Sequence, residues 1–147
     1  MKLKIPPVVV CALFAVLMWG VAWNFSLLHF RSLYVAGISI LLGGGVALAG
    51  VVAFRKAQTT VHPQKFDGCK ALVDSGIYAL SRNPMYLGMA IILFGWAFWL
   101  GEMLALLGVV GFVLYMNYFQ ICPEEQMLKA KFGATFEKYC QKTRRWL

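Results

Sequence analysis

The chain has 147 residues, of which 61% are hydrophobic and 14% charged, and its mean hydropathy is +0.69. That leaves too little polar surface for a soluble domain of this size, which excludes an ordinary soluble enzyme. The net charge of +8 does not point to nucleic acid either, because the 14 basic residues are divided among the segments between apolar runs instead of forming one patch.

Four uncharged stretches, 5–30, 32–54, 83–101 and 103–123, are each long enough to cross a bilayer core as a helix. They lack the alternation of a barrel strand, and a spanning backbone must satisfy its own hydrogen bonds, so the expected fold is all-α and integral to the membrane with four transmembrane helices. The first, about 7–29, follows Lys2 and Lys4 as a signal peptide would. Its apolar run continues past Trp19 and Trp23 without a small-residue cleavage site, and Val8, Val9 and Val10 before Cys11 make a poor lipoprotein signal, so it reads as a retained span. The second, about 33–54, carries Gly37, Gly43, Gly44, Gly45 and Gly50, whose small size lets a neighbouring helix approach closely. Tight helix packing is favoured over nucleotide binding, because a phosphate loop needs a Gly-rich turn in water at a helix N-terminus and this run lies mid-membrane.

The segment 55–83 is long for a connector and mixes Gly and Pro with Leu72, Val73, Ile77, Tyr78 and Leu80, a pattern that suits an ordered functional loop. It runs into the third helix, about 84–100, where Asn83 is a natural N-cap and Pro84 a natural first helical residue. A short turn at Glu102 leads into the fourth, about 103–122, so these two form an antiparallel C-terminal hairpin. The tail 123–147 reads as two short amphipathic helices, the first stopped by Gly133, with Phe136, Tyr139 and Trp146 beside basic residues, as on a helix lying on an anionic membrane surface. Arg31 is the one basic residue between helices one and two and none lies in the turn at Glu102, whereas the other thirteen precede helix one, fill 55–83 or follow helix four. That bias places both termini, the long loop and the tail in the cytoplasm, making a multi-pass protein of the inner membrane if the source is bacterial.

The candidate chemistry lies on that side. Arg82, Asn83 and Tyr86 join an arginine, a helix N-terminus and a phenol where the chain enters the membrane; taken alone this favours capping and interfacial anchoring over the alternative, a site for an anion or polar ligand. Glu124 and Glu125 complement the first turn of the tail helix, and Glu125 is spaced to pair with Lys129. Side chains of adjacent residues point about 100° apart, so one carboxylate is left for a cationic ligand. His29 and His62 have no partners at metal-ligand spacing, and no metal is assigned. Cys11, Cys69, Cys122 and Cys140 show no paired spacing and read as free thiols. No carboxylate lies within a span, which argues against a proton-coupled carrier.

Thr59, Thr60, Val61 and Pro63, then Leu72, Val73, Ser75, Gly76 and Tyr78, then residues 82–88, then Glu124, Glu125, Phe132, Gly133, Tyr139, Arg145 and Trp146 form an ordered series over residues 59–147. The series resembles the isoprenylcysteine carboxyl methyltransferase and phospholipid methyltransferase family. The resemblance implies a single membrane methyltransferase domain over 1–147 that uses S-adenosylmethionine from the cytoplasm. By position, Lys70, Ala71, Leu72, Val73 and Tyr78 would border the cofactor, Asn83, Pro84, Met85 and Tyr86 would form the opposite wall, and Glu124 or Glu125 would hold its polar end. Arg82 and Tyr86 are the candidate catalytic residues. Methyl transfer from a sulfonium needs positioning and water exclusion more than acid or base, and aromatic faces attract the cation. The implied partner is a lipophilic methyl acceptor entering from the bilayer, among membrane lipids. Protein-methylating members carry His before the Pro and an Arg near the end of the helix before the Glu pair; here stand Asn83 and the run 117–121, which weakens an isoprenylcysteine carboxylate as acceptor and leaves a lipid amine, a small thiol or another lipophilic acceptor open. The rival readings are an NADPH-dependent membrane reductase resembling the sterol reductases and a non-enzymatic small membrane protein.

Overall fold

A computed structural model describes residues 5–25, 29–56 and 72–147. The described residues are almost wholly helical: α1 (Pro7–Asn24), α2 (Leu33–Lys56), a 3-10 turn (Gly76–Ala79), α3 (Pro84–Leu100), α4 (Ala105–Tyr115), a π-helical turn (Met116–Ile121), α5 (Cys122–Phe132) and α6 (Ala134–Lys142). Pro7–Asn24, Leu33–Lys56 and the run Ala105–Phe132 are long and apolar enough to cross a membrane, and α3 is a shorter apolar helix. At 17 residues, α3 stands at the short end of the length a bilayer core requires.

Two expected boundaries move. Helix one ends at Asn24, not near 29: Phe25 turns extended, and the Asn24 side chain donates to the Gly20 carbonyl inside the last turn. Further on, His29 forms an isolated antiparallel bridge with Glu102, and the Phe30 amide donates to the Gly101 carbonyl, so this stretch crosses the α3–α4 turn. Glu102, expected on an outer turn, is buried there. Gly101 makes the turn possible by adopting φ 76°, a left-handed conformation that costs glycine nothing sterically.

Helix four also does not stop near 122. Pro123 cannot donate the amide hydrogen an α-helix would give to residue 119. The ladder widens instead, the Cys122 amide reaching the Asn117 carbonyl five residues back, and α4 runs through the π turn into α5. One extra residue in a turn rotates every later side chain by about 100° relative to a regular helix.

The bundle is organised around α3, which packs against α2, α1 and α4. Its contact with α2 is backbone to backbone. A Cβ placed on Gly43 would lie 2.6 Å from the Gly88 carbonyl oxygen, and one on Gly88 would lie 2.5 Å from that of Gly43. Gly50 likewise faces Met85, whereas Gly37, Gly44 and Gly45 have open space beside them, so only part of the glycine run serves this packing. On the other side Trp96 donates to the Ala15 carbonyl at 3.0 Å, and Phe14 stacks edge-on with Phe112. The remaining surfaces of α1, α2 and α4 expose Leu13, Leu41, Leu107 and Leu114, a continuous apolar exterior that lipid must cover.

The same substitution should therefore have opposite effects at two glycines of this pair of helices. Gly88→Ala should lower stability by roughly 1–3 kcal/mol through overpacking, whereas Gly44→Ala should be neutral or stabilise by up to about 1 kcal/mol. Thermal unfolding of the purified protein in one detergent reads both.

Candidate functional site

The site is assembled where three distant segments meet: the approach to α3, the start of α5 and the C-terminal tail. Ser75 is extended and the 3-10 turn that follows buries Tyr78, whose ring packs edge-on against Phe54 of α2 at 5.0 Å. The next residues enter α3. Asn83 occupies the N-cap position and Pro84 the first turn, but the Asn83 side chain makes no cap bond. It donates instead to the Arg145 carbonyl at 3.0 Å, while the Arg82 amide donates to the Arg144 carbonyl at 3.0 Å. The Asn83 side chain is thereby turned to the tail and not to the first turn of α3.

Glu124 and Glu125 start α5 and diverge as their helical spacing requires. Glu125 accepts from Arg145 twice, Nε to Oε1 at 3.1 Å and Nη2 to Oε2 at 2.5 Å, and pairs with Arg82 at 3.1 Å. It does not pair with Lys129, which bridges to Glu137 at 2.8 Å on the exposed surface. Hydrogen bonding to the Glu125 carboxylate, helped by its charge, holds the Arg145 guanidinium above its ordinary pKa. Arg82 also donates to the Cys140 sulfur on α6. Glu124 faces another way: the Tyr86 hydroxyl donates to its Oε2 at 3.0 Å, with the Gln120 side chain beside that same hydroxyl.

Tyr78 completes this second cluster. Burial and then the Glu124 carboxylate push its hydroxyl far above the ordinary phenol range, so it stays a protonated donor at any physiological pH. Among the described residues, the Tyr78 hydroxyl, the Gln120 amide nitrogen and Arg82 Nε are buried donors without a hydrogen-bond partner, the first two in this cluster. Buried donors are normally satisfied, and one left bare costs about 1–3 kcal/mol. Two of them beside a carboxylate therefore suit a ligand that carries both an anionic and a cationic group.

The tail binds the segments that carry these groups. Tyr139, whose hydroxyl burial also pushes upward, donates to the Tyr78 carbonyl at 2.7 Å. Thr143 reaches the Ala79 carbonyl at 3.4 Å, and Trp146 donates to the Asn117 side chain in the π turn at 3.0 Å.

Of the residues expected at the site, Tyr78, Tyr86 and Glu124 are brought together, and Arg82 and Asn83 stand beside them holding the tail. Leu72 and Val73 are half-buried at the head of the described segment. Pro84 and Met85 lie against Gly50 of α2. Lys70, Ala71 and the series from Thr59 to Pro63 fall outside the described residues, as do His62 and Cys69; Cys11, Cys122 and Cys140 are free thiols. Sequence reasoning overlooked Gln120 and Asn117. Two amides just ahead of a proline in an otherwise apolar span were the available signal.

Replacing Glu125 by Ala should leave Arg82 and Arg145 opposed and cost about 1–3 kcal/mol, below the range for a fully buried pair because these side chains keep some solvent contact. Hydrogen exchange over 134–146 should accelerate, whereas Glu137→Ala, which breaks only the exposed pair with Lys129, should leave the exchange pattern unchanged.

Comparison with known proteins agrees with the resemblance noted from the sequence motifs. An uncharacterized protein of Haemophilus influenzae is 52% identical over 63 residues, covering 43% of this chain and the whole of the relative. No solved structure matches. The model of the phospholipid methyltransferase family matches residues 31–135, well over half the chain. With α2, the approach to α3 and the Glu124–Glu125 turn all inside that span, this membrane protein belongs to the phospholipid methyltransferase family.

Proposed function

We propose that the protein transfers a methyl group from S-adenosylmethionine to a lipophilic acceptor at the cytoplasmic surface of the membrane. The observation that carries this reading is the cluster of Glu124, Tyr86, Tyr78 and Gln120. The methionine end of the cofactor is a zwitterion. Its ammonium is matched by the Glu124 carboxylate, and its carboxylate by the two buried donors, the Tyr78 hydroxyl and the Gln120 amide, which have no partner among the described residues. The cofactor supplies a methyl group on a positively charged sulfur.

The protein's own part is positioning and exclusion. Tyr86 fixes Glu124 in one rotamer through its hydroxyl, and the phenol rings of Tyr78 and Tyr86 offer negative faces to a nearby cation. Arg82 and Arg145 are both engaged by the one Glu125 carboxylate, which directs them to the tail joint and away from the acceptor. Both hold the tail over the site, which keeps water from the reacting groups. Arg82 is thus a positioning residue, and Tyr86 acts by orienting Glu124. The acceptor's nucleophilic atom displaces the sulfur in line; its proton needs no dedicated base on the chain if the acceptor group is already deprotonated.

Thermal unfolding in detergent, with S-adenosylmethionine, its demethylated product and NADPH added in turn, tests this. A ligand at a hundred times its dissociation constant stabilises the fold by about 2.7 kcal/mol, and the first two alone should do so. Glu124→Gln and Tyr78→Phe should each weaken cofactor affinity about tenfold or more, the range for a hydrogen bond to a charged group, while Glu102→Gln at the other end of the bundle should not. Stabilisation by NADPH alone would favour a reductase, and equal losses from all three variants would overturn the assignment of the site.

A further inference from the structure

The inner face of α6 is committed: Phe136, Tyr139 and Thr143 are buried. Its outer face is not. Thr135, Lys138 and Lys142, at positions that share one side of a helix, line a cleft of about 370 Å³ whose opposite wall is Asp74. Lys138 and Lys142 are exposed, and no ion pair among the described residues engages either. Like charges four residues apart disfavour a helix unless an anion lies between them.

The depth of this cleft is set by the tail. Arg144 and Arg145, two and three residues beyond Lys142, are hydrogen-bonded through their carbonyls to Arg82 and Asn83, the residues at which apolar α3 begins. The basic face therefore stands at the level where a membrane's headgroups start. Exposed apolar side chains occur on the same two segments: Leu80, next to the Ala79 that Thr143 contacts, is 68% exposed, and Leu147, five residues beyond Lys142, is 73% exposed. Exposed Arg144 adds a third positive charge.

We propose that the outer face of α6 is a binding site for an anionic phospholipid, whose phosphate is held by Lys138, Lys142 and the Thr135 hydroxyl while its chains lie along the neighbouring apolar surface. Charge complementarity and depth select this ligand. A soluble anion would gain nothing from Leu80 or Leu147, and a zwitterionic lipid without net charge gains less from two lysines. Asp74 confines the anion to the lysine side. This site is separate from the Glu124 cluster, so it stands or falls independently of the cofactor.

The test is retention of lipid by the full chain in detergent, read by native mass spectrometry with phosphatidylglycerol and phosphatidylcholine in competition, and by the shift in unfolding temperature on adding each. Phosphatidylglycerol should be preferred. Lys138→Gln combined with Lys142→Gln should lower its affinity about 30-fold, Lys142→Arg should retain it, and Asp74→Asn should strengthen it. Arg55→Gln with Lys56→Gln removes the same charge from the end of α2 and should change little. Equal retention of the two lipids, or an equal loss in the Arg55 and Lys56 variant, would show a diffuse surface potential and overturn the site. Equal stabilisation by inorganic phosphate would overturn the lipid as its ligand.

Discussion

The Glu125 carboxylate is the joint on which the rest of the site depends. It receives Arg82 from the approach to α3 and Arg145 from the tail, drawing together residues 82, 125 and 145, which have no local reason to meet. One carboxylate between two guanidinium groups is a stable arrangement only if both remain, since removing the acid leaves like charges opposed at a partly desolvated point. The backbone bonds from Arg82 to Arg144 and from Asn83 to Arg145 lie along the same seam, so the ionic joint and the main-chain joint reinforce each other. With the tail seated, Tyr139, Thr143 and Trp146 each find a partner on the facing segment.

Two adjacent glutamates can serve this joint and a ligand cluster at once because of what Pro123 does to the helix ahead of them. The missing amide hydrogen coincides with the π turn at Met116–Ile121, which turns α5 relative to α4; the Glu125 side chain meets the tail and Glu124 meets Tyr86. The same turn carries Asn117 and Gln120. Asn117 is engaged by Trp146, which ties the last residues of the chain to the local widening of the helix, and Gln120 is left buried beside Tyr86. Helical irregularities of this kind recur at functional sites, where they aim a side chain that a regular helix would misdirect.

The apolar half of the molecule serves the polar half by position. Gly43 and Gly88 let α2 and α3 touch at the backbone, and α2 then ends where Phe54 can pack on Tyr78. A wider separation would move Tyr78 away from Glu124. At the far end Gly101 turns the chain back into α4, so α5 emerges on the same side as the approach to α3. Small residues in the membrane thus decide the geometry of charged residues outside it.

Composition and the spacing of charge were enough to read an all-helical membrane protein, because lipid leaves an apolar chain few alternatives and uncharged runs of this length announce themselves. The motif series around residues 72–88 and 124–146 was enough to indicate the family, and it placed Tyr78, Tyr86 and a glutamate in one neighbourhood. Local chemistry misled where a tertiary partner outcompeted a local one: Asn83 sits at the N-cap position but spends its amide on Arg145, and Glu125 passes over Lys129, four residues away, for two arginines, one of which holds it through two hydrogen bonds. The end of helix one at Asn24, the burial of Glu102 against the 29–32 stretch and the idleness of Gly37, Gly44 and Gly45 depended equally on which surfaces met. Only the tertiary structure could distinguish Glu124 from Glu125. A pair of identical side chains is separated by direction alone, and direction here comes from a π turn and from the tail that folds back to meet it.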